Sequence, residues 1–192
     1  MVLDRDTNYI VSGLERSGTS MLMQILKAAD LPVVFDKKRP ADDNNPMGYY
    51  ELEGGKIINK LMENSFPFEK YKGNILKITA FGLRFLPPGK YKIIYSERNI
   101  EEILDSMEKM IGEKDITREE TKDSFSKLNS MIKQIINERK DVDVLFINYN
   151  QILSNPKEEI LKIVDFLGLS KDKIHKISSV VDNRLYRQRR KS

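Results

Sequence analysis

The chain has 192 residues, 40% of them hydrophobic and 32% charged, and a formal net charge of +4. That length suits a single domain over 1–192 with one sizeable core; no apolar run approaches the roughly 18 residues that cross a bilayer. The start, Met1-Val2-Leu3-Asp4-Arg5-Asp6, lacks the apolar core of a secretion signal, and the absence of Cys with a lone histidine (His175) excludes disulfides, thiol nucleophiles and His-based metal clusters. The cytoplasm is the expected compartment, with no membrane partner.

The predicted elements alternate. Asn8 to Ser12 is a short apolar strand ending at Gly13. Ser17-Gly18-Thr19-Ser20 follows, and Met21, Leu22, Ile25, Leu26 and Ala29 then recur at helical spacing up to Leu31-Pro32. Residues 33–48 form a polar loop, and Glu51 to Asn64 reads as a helix with Leu52, Ile57, Ile58 and Leu61 on its apolar side. Further strands are expected over Ile75–Thr79, Tyr91–Tyr95 and Val142–Ile147. Further helices are expected over Ile100–Ile111, Thr117–Arg139, Asn155–Leu167 (stopped by Gly168) and Lys171–Val181.

This order predicts an α/β fold, three layers α/β/α around a mainly parallel sheet of about four to five strands. The strands are almost wholly apolar, as in a sheet covered on both faces. Ligands of such sheets bind beyond the carboxyl ends of the strands. Gly13 to Ser20, Arg98 and Asn148 to Gln151 should therefore share one rim.

The charge is uneven. Residues 184–192 hold five of the 33 cations and no acid, leaving 28 cations against 29 acids elsewhere. A near-neutral body does not read as a nucleic-acid surface. The basic tail suits a small polyanion or is a solvated terminus.

Gly13-Leu14-Glu15-Arg16-Ser17-Gly18-Thr19-Ser20 has the spacing of a phosphate-binding P-loop between a strand and a helix. Inward-facing amides and a helix N-terminus make such a loop an anion cradle. The bland alternative is a tight turn with hydroxyl caps. Thr19 stands where a nucleoside triphosphatase carries its lysine, and the cation here is Arg16, which argues against a kinase or nucleotidase.

Gly-x-x-Arg-Ser-Gly-Thr-Ser resembles the 5′-phosphosulfate loop of the sulfotransferase family. The resemblance continues in order: Arg98 after the third strand with Ser106 eight residues on, then Val144 to Tyr149, Asn155-Pro156 and Phe166-Leu167-Gly168. It implies 3′-phosphoadenosine 5′-phosphosulfate (PAPS) as co-substrate, with adenosine 3′,5′-bisphosphate as product and no metal. It implies sulfuryl transfer to a hydroxyl or amine of a small or protein-borne acceptor. By that resemblance Gly13 and Gly18 shape the loop and Ser17, Thr19 and Ser20 hold the 5′-phosphate. Arg16 faces the leaving-group oxygens, Arg98 and Ser106 hold the 3′-phosphate, and Tyr149 lies near the adenine.

Arg98 could equally pair with Glu101 or Glu102, and Tyr149 could be a core or rim tyrosine. Glu51 is the candidate general base, since some members use a Glu in this region; otherwise it is an acid favoured in a first helical turn. Glu53 is the second choice and could contact the acceptor. Lys77, a lone cation in an apolar strand, either reaches sulfate or acceptor or snorkels to solvent. Arg187, in the basic tail, could close the 3′-phosphate side. His175 reads as a surface or helix-end residue. A module that binds the nucleotide without catalysis is the remaining alternative.

Overall fold

The computed structural model describes residues 3–171, 174–178 and 181. Four strands form one sheet: β1 (Asn8–Gly13), β2 (Ile75–Lys77), β3 (Tyr91–Glu97) and β4 (Val142–Asn148). Their order is β2-β1-β3-β4, and every neighbouring pair is parallel. A single bridge from Val33 to Ile75 extends the β2 edge.

The helices are α1 (Thr19–Ala28), α2 (Ile57–Met62), α3 (Ile100–Ile111), α4 (Arg118–Glu138), α5 (Tyr149–Ser154), α6 (Pro156–Leu167) and α7 (Ile174–Ser178). Side chains alternate across each strand and feed two cores. Val11, Ile94 and Ile147 meet Leu22 and Leu26 of α1, Ile152 of α5, and Ile160 and Val164 of α6. On the other face Ile10, Leu76, Ile93 and Tyr95 meet Ile57 and Leu61 of α2, Ile103 of α3, and Ile132 and Ile136 of α4. The layers are α/β/α, as the apolar strands require. Tyr95 is fully buried, and its hydroxyl is satisfied by donating to Asn129 Oδ1 at 2.7 Å.

The expected helix over Glu51–Asn64 needs correction. Gly54 and Gly55 adopt left-handed φ of 63° and 87°, so only a 3-10 turn forms at Glu53–Gly55 and α2 begins at Ile57. Two glycines in a row have no side chain to hold a helical turn and low helix propensity. Glu51 accordingly lies before any helix, and a first-turn role for it does not apply. Helix α5 was not expected; Asn148 caps it, its Oδ1 accepting from the amides of Asn150 and Gln151. β2 stops at Lys77, short of Thr79. The last helix is described only over Ile174–Ser178.

Chain connections leave β1 and β3 toward opposite sides of the sheet, so the switch point lies between these two strands. Gly13 and Ser96 are paired at their carboxyl ends. The crevice of such a sheet opens where neighbouring connections diverge. Here that is the gap between the glycine loop and Arg98.

Candidate active site

A cavity of about 340 Å³ opens at this crevice. Its floor is the loop from Gly13 to Ser20, and Arg98, Ser106 and Tyr149 lie on the wall beside it. Opposite stand Glu51, Lys77 and Thr79, and an apolar wall of Leu52, Ile57, Ile58, Leu61 and Ile78 extends from there.

The loop is tightly held. Ser96 Oγ donates to the Ser17 carbonyl at 2.7 Å, tying the loop to β3. Gly18 has φ 102°, and a Cβ there would stand 2.2 Å from Tyr149 Cδ2. Only glycine lets the Tyr149 ring pack this closely. Tyr149 is thus a buried rim residue supporting the loop from below. No side chain caps α1 at Gly18. The first amides of a helix have no intrahelical acceptor, so this end presents unsatisfied donors and positive potential. Ser17 Oγ is buried and has no hydrogen-bond partner. An uncapped helix start beside an unpartnered buried hydroxyl fits a phosphate group.

Arg98 points at the loop. Its Nη1 donates to the Arg16 carbonyl at 3.0 Å. Its Nε donates to Glu102 Oε2 at 3.1 Å, and its guanidinium carbon lies 4.5 Å from the Tyr149 ring centre. The pairing with Glu102 and the rim position therefore coexist. The two side chains are only 7% and 2% exposed, so the ion pair is buried.

Arg16, at left-handed φ 64°, turns its side chain toward α3. Its Nε donates to Ser106 Oγ at 3.0 Å, and Nη2 reaches the Asn44 carbonyl at 3.5 Å. The loop and the Arg98/Ser106 pair, expected as two separate anion sites, are joined by this guanidinium. Arg16 stands on the Ser106 side of the loop.

The opposite wall is an ionic chain. Lys77 Nζ donates to the Tyr49 carbonyl at 2.8 Å, to Ser20 Oγ at 3.1 Å and to Glu51 Oε1 at 3.1 Å. Arg39 Nη1 holds Glu51 Oε2 at 3.0 Å and stacks on the Tyr49 ring. Tyr49 in turn donates to the Asp42 carboxylate. Lys77 does not snorkel: its side chain is 7% exposed, and burial pushes its ammonium below the usual lysine range, with the nearby Glu51 charge opposing. Asn45 Nδ2 also donates to Ser20 Oγ at 3.0 Å, so the segment before Glu51 lies against the glycine loop.

The structure brings together Gly13, Arg16, Ser17, Gly18, Thr19, Ser20, Arg98, Ser106, Tyr149, Glu51 and Lys77 around this one crevice. It does not bring Glu53. That carboxylate pairs with Lys60, and Glu53 is not among the cavity residues, because its positive φ of 53° opens the glycine turn. The expectation of an acceptor contact there is corrected. Arg187 and the His175 side chain fall outside the described residues. Sequence reasoning missed Arg39, Thr79 and Lys109, which also line the cavity. Arg39 and Lys109 sit in a loop and on a helix face full of other charges, where spacing singles out none of them. Among the described residues no group of three or more metal-ligating side chains is placed to hold an ion, and no helix is long and apolar enough to cross a membrane.

Fold and site together define a P-loop-like α/β protein with a glycine loop and three arginine or serine side chains gathered at its crevice. The sulfotransferase domain family matches residues 6–188, and the chain belongs to that family. No curated protein matches it in sequence. Among solved structures it is similar to the sulfotransferase domain of the Synechococcus PCC 7002 olefin synthase, at 15% identity and TM-score 0.55, over 96% of this chain and 87% of that one. Retinol dehydratase, solved with androsterone and the inactive cofactor PAP, is similar at 19% identity and TM-score 0.56, over 93% of this chain. Mouse sulfotransferase SULT7A1, complexed with PAP, is similar at 16% identity and TM-score 0.54, over 94% of this chain. The chain spans 65% and 66% of the last two proteins, about two thirds of their length. At these identities the likeness is one of fold.

Proposed function

We propose that this chain transfers a sulfuryl group from PAPS to a hydroxyl or amine of an acceptor. The observation that carries the reading is the meeting of Arg98, Arg16 and Ser106 over an uncapped helix start. That arrangement offers cations and donors to both ends of a nucleotide phosphorylated at its 3′ and 5′ positions, a shape ATP lacks. The two PAP-bound relatives support the same ligand.

In this reading the Ser17 to Ser20 amides and hydroxyls hold the 5′-phosphate. Arg98 and Ser106 hold the 3′-phosphate through charge-assisted bonds. PAPS, when bound, supplies the activated sulfuryl group. Arg16, whose Nε holds Ser106, offers its Nη donors to negative charge on the leaving side. Lys77, fixed beside Ser20 and Glu51, offers its ammonium to the transferring group. Glu51 takes the acceptor's proton; each of its oxygens is in an ion pair but keeps a second lone pair. Catalysis of this kind is positioning and electrostatic stabilisation.

The acceptor end favours an apolar body carrying the reacting group. Lys77, Glu51 and Arg39 already bind one another, and beside them Leu52, Ile57, Ile58, Leu61 and Ile78 form an apolar stretch of the lining, next to Thr79 and Lys56.

Thermal shift tests the donor. Adenosine 3′,5′-bisphosphate without Mg²⁺ should stabilise the chain by about 2.7 kcal/mol at a hundredfold excess over Kd. Greater stabilisation by ATP with Mg²⁺ would instead indicate a kinase. A second reading, a binding module without turnover, draws on the engagement of Lys77 and of both Glu51 oxygens by protein partners. It gives the same ligand response with no labelled sulfate reaching any acceptor.

A further inference from the structure

We propose that Lys109 is a further ligand of the anion held by Arg98 and Ser106. It would set the preference for an adenosine nucleotide bearing a 3′-phosphate over one with a free 3′-hydroxyl. The inference rests on the nucleotide reading above.

Lys109 lies three residues after Ser106 on α3, so the two side chains are neighbours on one helix face. Both border the crevice cavity, together with Arg16 and Arg98. The acids of the same helix are engaged elsewhere. Glu102 holds Arg98. Asp105 accepts from Arg118 at 2.8 Å. Glu108 accepts from Arg118 at 2.7 Å and from Lys114 at 2.9 Å. Lys109 also borders a shallow surface depression with Glu113, yet it forms no ion pair or hydrogen bond with any described residue. Its ammonium is therefore neutralised by no described acid, and the stem stands at the cavity edge.

The chemistry suits the task. Arg98 is fixed by Glu102 and the Arg16 carbonyl, so its remaining donors have a set direction. A lysine on a flexible stem is a mobile point charge that can close on a phosphate from the open side. A nucleotide without the 3′-phosphate gives Lys109 nothing to pair with, so the effect is selective.

Isothermal titration of the full chain with adenosine 3′,5′-bisphosphate and with adenosine 5′-monophosphate tests this. Lys109→Ala should raise the bisphosphate Kd about tenfold and leave the monophosphate Kd within about twofold, the scale of one charge-assisted contact. Lys109→Arg should retain most of the bisphosphate affinity. Lys114→Ala, which removes a neighbouring cation already paired with Glu108, should change neither value. The tenfold gap should narrow at high salt, because the contact is solvent-exposed. A bisphosphate Kd unchanged in Lys109→Ala overturns the proposal, as does an equal rise for both nucleotides. A wild-type chain that binds neither nucleotide overturns the donor reading itself, a result distinct from either.

Discussion

The guanidinium of Arg98, at the end of β3, donates to the main-chain carbonyl of Arg16 in the glycine loop, 82 residues away in sequence. One contact thus locks the two arms of the crevice together, and it is backed by the buried partner Glu102. Arg98→Ala should weaken bisphosphate binding by about 1.5 to 3 kcal/mol, the scale of a hydrogen bond to a charged group. It should also destabilise the fold by about 3 kcal/mol, because Glu102 loses its buried cation. Calorimetry and urea melts measure the two effects; a binding change of a few tenths would remove Arg98 from the site.

Gly18→Ala should be severely destabilising, by roughly 2 to 4 kcal/mol, through a strained φ and a clash with the Tyr149 ring. Trimming the ring in Gly18→Ala/Tyr149→Ala relieves the clash but not the φ, so rescue should be partial. Chemical denaturation of the three variants checks this. Full stability in Gly18→Ala would mean the ring does not press on the loop.

Lys77 carries a pH signature. Burial lowers its proton affinity in the folded chain relative to the ordinary 10.5 of the unfolded one. The unfolded chain therefore binds more protons between the lowered value and 10.5, and Lys77's contribution to stability rises with pH across that window. Turnover should do the opposite, falling as the ammonium is lost on the alkaline side. Lys77→Arg stays charged and should lack that alkaline fall. Rate profiles from about pH 7 to about pH 10 decide, and an identical fall in both proteins would assign it to another group.

Glu51 and Arg16 separate by a binding-versus-turnover comparison. Glu51→Gln should lower turnover by about a hundredfold, the scale of general base catalysis, with bisphosphate affinity nearly unchanged. Undiminished turnover would clear Glu51 of the role. Arg16→Ala should reduce turnover more than binding if the guanidinium serves the leaving group. Equal losses would make it an anchor on the Ser106 side, where the structure places it.

Arg118 should govern acid tolerance. Lys122 and Arg118 hold Glu101 down to about 2, well below its ordinary 4.5. The stabilisation from this carboxylate is present above 4.5 and is lost as pH falls toward about 2. Arg118→Ala with Lys122→Ala should return Glu101 to the ordinary range, so the stability gap from wild type shrinks as acid is added. Carboxyl ¹³C titrations check the shift directly, and an unmoved Glu101 would contradict the pairing.

Local chemistry determined much of this protein from its sequence alone. Apolar runs of strand length placed β1 and β3, Asn155-Pro156 and Gly168 bounded α6, and the spacing Gly13 to Gly18 marked the phosphate loop. These features depend on neighbours in the chain and are legible there. Only the tertiary structure decided how Arg16 bridges to Ser106, how Tyr149 seats under Gly18, and how Arg39 and Lys77 both grip Glu51. Each joins groups on different elements, and whether a charged side chain faces a cavity or solvent follows from packing across the sheet. For the same reason Glu53, two residues from Glu51, fell outside the site: a pair of glycines turned the backbone before it could become helix.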